Sequence, residues 1–425
     1  MTRLEANENR GPGGGLMAVE RGGLEVAGRS PLPLEGILVI DFSQFLAGPV
    51  AALRLADLGA RVIKVERPGV GDIGRTLAFG GVTLDGDTLS FQIMNRGKES
   101  YAADLKDPAD LAAVRALLAR ADVLIQNFRP GVMERIGLDY ASVRALNPRL
   151  VYGSVSGYGS DGPWRNLPGQ DLLAQSMSGL PWLSGSRGDA PVPVGLSIAD
   201  LLASCHLAEG ITALLFRRGR TGEGGLVETS LMEGMLDLQF ELLSTHLNDP
   251  SVVVERGGAH SANAFLPAPY GVYPTQDGYL AIAMTPIPRL GMLLGLAALE
   301  AFADPESWWA DRDRIEALLA DHLRTRATRE WLDILEPADI WCAPVLTLPQ
   351  LAQHEGFRAL GMDQVVERPA VDGRGRARLA TTRSPIRIDR VILRNDRGAP
   401  RLGEQTAAIE REFDLRRSSD CDSSA

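Results

Sequence analysis

The chain has 425 residues, of which 45% are hydrophobic and 23% charged, so it is a globular protein too long for one ordinary domain. Its net charge of −10 argues against a general nucleic-acid or anionic-membrane surface, because both partners need a positive field. Three separated cysteines and five scattered histidines form no CxxC or HExxH pair, which excludes the usual disulfide frameworks and metal cages. No uncharged apolar run reaches the ~18–20 residues of a membrane helix, and we predict a cytoplasmic protein without a metal.

The first ordered segment predicted along the chain is a βαβ unit. Residues 1–34 are typical of a flexible extension, and a β-branched run at Ile37–Ile40 then predicts a buried strand. A helix follows, with Pro49 in its first turn, and Arg61–Glu66 predicts a second strand. The same alternation continues through a helix at Asp107–Ala119, with Asp107 as its N-cap. The pattern therefore predicts an α/β fold with a mostly parallel sheet.

The later elements are strands at Asp122–Gln126 and Arg149–Val155, and helices at 197–217 and 230–246. A predicted hairpin with its turn at Asp277–Gly278 indicates that the βα alternation gives way to an α+β pattern near residue 250. The predicted organisation is a flexible extension at 1–34, the first part of a large domain at 35–225, a linker helix at 226–249, a small α+β domain at 250–342, a C-terminal return to the large domain at 343–415 and a flexible tail at 416–425.

Basic residues cluster around the predicted strand ends. Arg67, Arg129 and Arg135 follow strands, and Lys98 precedes another. Ligands of open α/β sheets bind at the carboxyl ends of the strands, so these cations suggest a phosphorylated ligand. Ordinary surface arginines would give the same spacing. No GxGxxG follows the first strand, so a nicotinamide or flavin site is not supported.

Two acidic residues are candidates for chemistry. Asp171 opens a helix after a glycine-rich loop, where it could cap that helix or act as a carboxylate nucleophile in a closed pocket. Asp200 lies just inside a long apolar helix, as a favourable first-turn acid or as a pocket acid. Cys205, on the same helix, is expected to be a core residue rather than a nucleophile.

A series of ordered motifs carries a family resemblance across roughly residues 35–410. They are ILVIDFSQFLAGP (37–49), RVIKVERPGVGD (61–72), NRGKES (95–100), DVLIQNFRPGVMERIGLDY (122–140), LNPRLVYGSVSGYGSDGP (146–163), PGQDLLAQSMSGL (168–180), RTGEGGLVETSLMEG (220–234), APYGVYPTQDG (268–278), WCAPV (341–345) and PRLGEQT (400–406). Together they resemble the family III CoA-transferases of the CaiB/BaiF type. That family also contains α-methylacyl-CoA racemase.

The resemblance implies a Rossmann-like large domain built from both chain ends, a small α+β domain and an interlocked homodimer. It also implies an enzyme that moves CoA from an acyl-CoA donor to a small carboxylic acid. Asp171 would be the nucleophile, forming a mixed anhydride and then an aspartyl-CoA thioester. CoA would be a substrate, with no permanently bound cofactor. The implied CoA-binding residues are Gln44, Phe45, Leu46, Ala47, Arg67, Lys98, Asn127, Phe128, Arg135, Ile136 and Tyr158.

The racemase branch of the family is an alternative, together with an intramolecular CoA isomerase. Racemases place a histidine immediately before the aspartate and use it as a base, whereas this chain has Gln170 there. A glutamine side chain cannot shuttle a proton. Asp200 matches the racemase acid, but one base alone cannot exchange both faces of a carbon. A non-catalytic acyl-CoA-binding protein is a third possibility, against which the intact Asp171 argues.

Overall fold

The computed structural model describes residues 32–252 and 254–415. Most of the predicted N-terminal extension and the predicted tail, with Cys421, lie outside these residues. The described chain divides into two compact units. Unit 1 comprises residues 32–156, 204–229 and 362–415, and unit 2 comprises residues 157–203 and 230–361.

The β-strands follow one another in chain order. They are β1 (Leu38–Asp41), β2 (Arg61–Glu66), β3 (Thr83–Leu84), β4 (Asp87–Thr88), β5 (Glu99–Ala102), β6 (Val123–Gln126), β7 (Val151–Ser156), β8 (Gly225–Ser230), β9 (Tyr270–Pro274), β10 (Tyr279–Ala283), β11 (Cys342–Pro344), β12 (Asp363–Pro369), β13 (Arg376–Thr382), β14 (Arg387–Ile388) and β15 (Val391–Ile392).

The α-helices alternate with these strands in the first part of the chain. They are α1 (Ala47–Asp57), α2 (Leu89–Asn95), α3 (Pro108–Leu118), α4 (Val132–Arg135), α5 (Tyr140–Leu146), α6 (Asp171–Met177), α7 (Ile198–Thr221), α8 (Leu231–Leu238), α9 (Phe240–Asn248), α10 (Ile287–Leu294), α11 (Ser307–Ala310), α12 (Arg312–Leu323), α13 (Thr328–Leu335), α14 (Leu348–Gln353), α15 (Glu355–Leu360) and α16 (Thr406–Phe413).

A six-stranded sheet in the order β5-β2-β1-β6-β7-β8 organises unit 1. The pairs β5–β2, β2–β1, β1–β6 and β6–β7 are all parallel, which confirms the predicted α/β sheet. The chain passes from β1 to β2 on one side, whereas β6 lies on the other side of β1. The sheet therefore has a topological switch point between β1 and β6, where open α/β sheets form their ligand crevice.

Local sequence signals account for the elements of this sheet. The strands β1 and β6 are buried along their whole length, as expected for central parallel strands covered on both faces. Asp107 accepts hydrogen bonds from the backbone N–H groups of Ala109 and Asp110, so it is the N-cap of α3 as predicted. The predicted helix over 230–246 is instead two helices, α8 and α9, which meet at Gln239.

The C-terminal segment covers the edge strand β5. The Gln405 side-chain oxygen accepts from the backbone N–H of Ser100 at 2.8 Å, and the Thr406 hydroxyl accepts from that of Ala102 at 2.9 Å. Ile409 of α16 is fully buried in the same core as β1 and β6. These contacts satisfy edge-strand donors that would otherwise be open to another strand.

Helix α7 is, among the described residues, the helix long and apolar enough to cross a membrane by length and composition. One such helix is weak evidence for a membrane span, because core helices of soluble proteins pass the same test. Leu207 and Ile211 of α7 are fully buried, and Ile211 lies so close to Gly153 of β7 that a Cβ there would be 2.9 Å from it. Cys205 is exposed, so its expected core position is wrong.

Unit 2 contains a separate core around the antiparallel sheet β11-β10-β9. β9 and β10 form the hairpin predicted at Asp277–Gly278. Tyr273, Leu280 and Ile282 point into a core completed by the helices α10, α12 and α13. Alternate residues of each strand face this core, which explains the period-two pattern of VYPTQDGYLAIA.

Glu316 is a buried carboxyl group of that core. It is fully buried on α12. Burial raises its pKa to about 7, against the opposing attraction of Arg312. Between pH 4.5 and 7 the unfolded chain therefore ionises this group while the folded chain keeps the proton, and stability falls as the pH rises.

Glu316→Gln is therefore expected to stabilise the protein at pH 8 by about 1–2 kcal/mol, after allowance for solvent screening, and to give no gain at pH 4.5. Urea unfolding across this pH range measures the effect. The exposed Glu306 provides a matched control as Glu306→Gln, which should follow the unmodified protein. If the free energies of unfolding of Glu316→Gln and the unmodified protein changed with pH in the same way, the expectation would be contradicted.

Candidate functional site

The loops after β1 and β6 are joined at the switch point of the sheet. The Asn127 side chain accepts a hydrogen bond from the Gln44 backbone N–H at 2.8 Å and donates one to the Gln44 carbonyl at 2.7 Å. The two residues lie 83 positions apart in the chain. The structure therefore brings together two of the residues that the family resemblance implies for CoA binding, at the edge where a ligand is expected.

The loop after β1 holds a strained residue. Phe45 has φ = 71°, a left-handed conformation that side chains other than glycine, asparagine and aspartate rarely adopt. Its backbone N–H donates to Asp72 Oδ1 at 3.2 Å, and its ring is partly exposed. Leu46 is half-buried, and Ala47 is buried at the start of α1. Strain of this kind is stored where the surrounding structure determines the backbone, which supports a functional role for the loop.

Buried charges hold the base of the same loop. Asp41, at the end of β1, accepts from the Ser43 backbone N–H and hydroxyl. Lys64 Nζ donates to the Ser43 carbonyl at 2.6 Å and lies 2.8 Å from an Asp72 carboxylate oxygen. Burial opposes ionisation of Asp41, but the attraction of Lys98 and Lys64 outweighs it and holds the pKa of Asp41 below its usual value. The loop therefore rests on an ionised and desolvated network.

Lys98 belongs to this network rather than to the surface. Its ammonium donates to Asp41 Oδ2 at 2.8 Å, to Asn95 Oδ1 at 2.8 Å and to the Pro49 carbonyl at 2.9 Å. These three bonds use all three donors of the ammonium group. Burial lowers the pKa of Lys98 to about 8, against the opposing attraction of Asp41. In this conformation Lys98 has no donor left for a ligand, and its predicted contact with CoA stays a prediction.

The arginines of the predicted site lie on the surface of unit 1. Arg67 follows β2, and Arg135 ends the short helix α4. Both are exposed, and neither forms an ion pair with a described residue. Phe128 and Ile136 are half-buried and pack against the core of unit 1, so they anchor the segment that carries Arg135. The two guanidinium groups are therefore available to an anionic ligand.

Asp171 lies in unit 2 and is 6% exposed. Its Oδ1 accepts hydrogen bonds from the backbone N–H groups of Ala199 at 2.7 Å and Asp200 at 3.2 Å. Its Oδ2 accepts from the Gln175 side-chain amide at 2.7 Å. The carboxylate is thus held through both oxygens next to the N-terminus of α7, where the helix dipole favours a negative charge.

The helix that Asp171 opens is capped by another residue. The Gln170 side chain accepts from the Leu172 backbone N–H at 3.0 Å, so Gln170 is the N-cap of α6. The possibility that Asp171 caps its own helix is therefore wrong. It binds the first turn of α7 instead, 28 residues further along the chain. Asp200, the possible pocket acid, is half-buried and contributes its backbone N–H to the Asp171 carboxylate.

Two glycines allow the chain to reach this position. A Cβ on Gly157 would lie 2.5 Å from the Gly169 Cα, and the converse distance is also 2.5 Å. Only glycine permits two backbones to approach this closely. Tyr158, between them in the sequence, is buried, packs edge-to-face against Trp164 and donates to the Pro168 carbonyl. The glycine-rich loop is thus folded back onto the residues that precede Asp171.

Gln175 is a site residue that sequence reasoning missed. It is almost fully buried, its oxygen accepts from the Val194 backbone N–H at 2.9 Å, and its amide also donates to the Leu196 carbonyl at 3.1 Å. Its spacing of four from Asp171 on α6 places both side chains on one helix face, and that spacing was the available signal. Among the described residues no group of three or more His, Cys, Asp and Glu side chains is arranged to hold a metal ion.

The sequence matches known proteins over most of its length. Residues 34–406 match the family model for CoA-transferase family III. The chain is 33% identical to a succinate–glutarate CoA-transferase of Agrobacterium fabrum, over 92% of this chain and 98% of that protein. It is also 33% identical to an acetyl-CoA:oxalate CoA-transferase of Acetobacter aceti, over 90% of this chain and 96% of that protein.

A solved structure extends the agreement to the fold. The crystal structure of a CaiB/BaiF family protein from Brucella suis superposes with a TM-score of 0.77 at 31% identity. The match covers 90% of this chain and all of that one. The sequence match over almost the whole chain and the shared fold give one conclusion: this chain is a CoA-transferase and belongs to family III of these enzymes.

Proposed function

We propose that the enzyme transfers CoA from an acyl-CoA donor to a carboxylic acid through covalent intermediates on Asp171. The observation that carries this proposal is the Asp171 carboxylate, which is nearly buried and held through both oxygens by the amides of Ala199, Asp200 and Gln175. A desolvated and oriented carboxylate is a better nucleophile than a hydrated one, because no water shell has to be removed before it attacks.

The reaction needs no ATP and no metal, because each step exchanges one activated acyl group for another. The carboxylate attacks the donor thioester, which forms a mixed anhydride and releases CoA thiolate. The thiolate attacks the aspartyl carbonyl, which forms aspartyl-CoA and releases the donor acid. The acceptor acid then attacks aspartyl-CoA, which forms a second mixed anhydride and releases the thiolate. The thiolate attacks the acceptor carbonyl, which forms the new acyl-CoA and restores the Asp171 carboxylate. Water has to be kept away from both intermediates, and burial of Asp171 serves that purpose.

The CoA portion of the substrate is proposed to bind unit 1 at the loop Gln44–Ala47. The carboxyl edge at the switch point, the Gln44–Asn127 bridge and the exposed guanidinium groups of Arg67 and Arg135 support this assignment. An interlocked homodimer and a cytoplasmic location are proposals that rest on the family resemblance and on composition.

The relatives suggest the substrate class. Their names specify succinate and glutarate in one case and acetyl-CoA and oxalate in another, so short dicarboxylic acids recur among them. We propose succinyl-CoA as donor and a short dicarboxylic acid as acceptor. Racemisation is less well supported, because Gln170 stands in the position of the racemase histidine and its side chain caps α6.

A donor and acceptor panel tests the proposal. The enzyme is incubated with succinyl-CoA or acetyl-CoA and with succinate, glutarate, malate or oxalate, and new CoA thioesters are measured by mass spectrometry. In a second arm hydroxylamine is added to enzyme and donor alone, and the peptide containing Asp171 is examined for a hydroxamate. Transfer with a hydroxamate at Asp171 is expected. Loss of α-deuterium from a 2-methylacyl-CoA without transfer would favour the racemase instead.

Asn127→Ala is expected to raise KM for the acyl-CoA donor about tenfold and to change kcat less. The substitution removes both hydrogen bonds to Gln44, so binding has to order the loop at a cost of about 1.4 kcal/mol. Steady-state kinetics with varied donor measure this effect. Asn147→Ala is the matched control, because Asn147 bridges two backbone carbonyls of unit 1 away from the predicted site. Equal KM values for the two variants would contradict the assignment.

A further inference from the structure

The two oxygens of the Asp171 carboxylate have different surroundings. Oδ1 accepts two backbone hydrogen bonds, from Ala199 and Asp200, and Oδ2 accepts one side-chain hydrogen bond, from Gln175. A carboxylate oxygen offers two lone pairs in its plane. Among the contacts of the described residues, both lone pairs of Oδ1 are therefore occupied, whereas one lone pair of Oδ2 is open. The open lone pair can attack a carbonyl carbon.

Gln175 maintains this difference from a buried position. Its oxygen is held by the Val194 backbone N–H and its amide by the Leu196 carbonyl, so the amide cannot rotate without losing these bonds. The donor that faces Asp171 is thereby fixed toward one oxygen. The same contacts tie the segment 194–196 to α6, and that segment leads directly into the turn of α7 that holds Oδ1.

We propose that Gln175 is a positioning residue that makes the two oxygens of Asp171 inequivalent throughout the reaction: Oδ2 attacks and is exchanged in each turnover, whereas Oδ1 stays bound to Asp171. This inference rests on the proposed function and specifies it further. When the thiolate or the acceptor acid attacks the aspartyl carbon, the negative charge develops on Oδ1. The amides of Ala199 and Asp200 already point at that oxygen and stabilise the charge.

The atoms can be followed through the cycle. Oδ2 forms a bond to the donor thioester carbon, whose C–S bond breaks to release CoA thiolate. The thiolate attacks Cγ of Asp171, the Cγ–Oδ2 bond breaks, and Oδ2 leaves as part of the donor acid. An oxygen of the acceptor acid then bonds to Cγ and displaces the thiolate. When the thiolate attacks the acceptor carbonyl, the acceptor's oxygen remains on Asp171 as the new Oδ2.

Oxygen isotopes test this inference. The enzyme turns over succinyl-CoA with excess succinate carrying ¹⁸O in all its carboxylate oxygens, in ordinary water. After many turnovers the enzyme, free of acyl and CoA groups, is digested, and the mass of the peptide containing Asp171 is measured by mass spectrometry. We expect one ¹⁸O atom in this peptide, because one oxygen is replaced repeatedly and the other is retained. Two ¹⁸O atoms would overturn the inference, since they require the carboxylate to rotate between turnovers.

The variant Gln175→Met keeps the side-chain volume but has no amide. It is expected to incorporate two ¹⁸O atoms, because nothing then holds Oδ2 in place. Gln239→Leu is the matched control: Gln239 is another buried glutamine, and its amide donates to the carbonyl of Ser178, just beyond α6. This control should incorporate one ¹⁸O atom. Incorporation of a single ¹⁸O atom by active Gln175→Met would contradict the proposal that Gln175 keeps the two oxygens inequivalent.

The outcomes separate this inference from the proposed function. Turnover without any ¹⁸O in Asp171 would reject the aspartyl intermediate itself. Enzyme given labelled succinate without succinyl-CoA should incorporate no ¹⁸O, which excludes passive exchange. If Gln175→Met does not fold, the count of one or two atoms in the unmodified enzyme still decides whether one oxygen is retained.

Discussion

Asp171→Asn is expected to reduce CoA transfer at least about 10³-fold, because an amide oxygen does not form the anhydride. The asparagine oxygen can still accept from Ala199 and Asp200, and the bond from Gln175 is lost. The expected loss in stability is therefore about 1 kcal/mol. Asp171→Ala should lose the same activity and about 2–4 kcal/mol of stability, because it removes the acceptor of two backbone N–H groups at the start of α7 and one acceptor of the buried Gln175 amide.

The comparison of the two variants separates the chemical role of Asp171 from its structural role. Activity is measured as the formation of the new CoA thioester, and stability by urea unfolding. Asp161→Ala is the control, since Asp161 is an exposed aspartate of the same glycine-rich stretch. It should retain activity and stability. Transfer by Asp171→Ala at a rate near that of the unmodified enzyme would contradict the aspartyl mechanism.

Asp41→Asn is expected to destabilise the protein by about 3–5 kcal/mol, because it removes the carboxylate between two buried ammonium groups. Asp41 Oδ2 lies 2.8 Å from Lys98 Nζ and 4.0 Å from Lys64 Nζ, and all three side chains are almost completely buried. An uncompensated buried charge costs far more than a solvated one. Asparagine has one side-chain oxygen where Asp41 has two, so either Ser43 or Lys98 loses its acceptor and the loop Gln44–Ala47 should be less ordered in the same variant.

Urea unfolding and donor KM measure the two consequences of Asp41→Asn. The double variant with Lys98→Met should recover part of the lost stability, because it removes the unpaired ammonium. Asp321→Asn breaks an exposed ion pair with Arg324 and should cost less than about 1 kcal/mol. A cost for Asp41→Asn as small as that of Asp321→Asn would show that the buried network does not stabilise the fold.

Local patterns predicted most elements of the unit 1 sheet and the hairpin of unit 2. The β-branched runs of β1 and β6, the Asp107–Pro108 start of α3 and the turn at Asp277–Gly278 all depend on residues close in sequence. Hydrophobic period and capping act over a few residues, so one chain is enough to detect them. The break at Gln239 was missed because α8 and α9 form one continuous pattern around it.

The site residues depend on contacts that local patterns do not contain. The family motifs identified Asp171, Gln44 and Asn127, but not the hydrogen bonds that orient them. Asp171 meets the start of α7 across 28 residues, and Gln44 meets Asn127 across 83. Such pairs form only when the strands and helices that carry them are packed. The motif that contains Lys98 predicts a ligand-binding cation, whereas packing places its ammonium group against Asp41.

The negative charge and the length of the chain were informative from the start. They pointed away from nucleic acid and toward a protein of more than one domain, in which any anionic ligand has to be held by a local group of donors, because both quantities are sums over the whole sequence. The order of motifs added the family and the proposed nucleophile, Asp171. The different environments of the two Asp171 oxygens and the burial of Lys98 arise from the packing of α6, α7 and the central strands, because hydrogen-bond geometry and desolvation exist only in the folded chain.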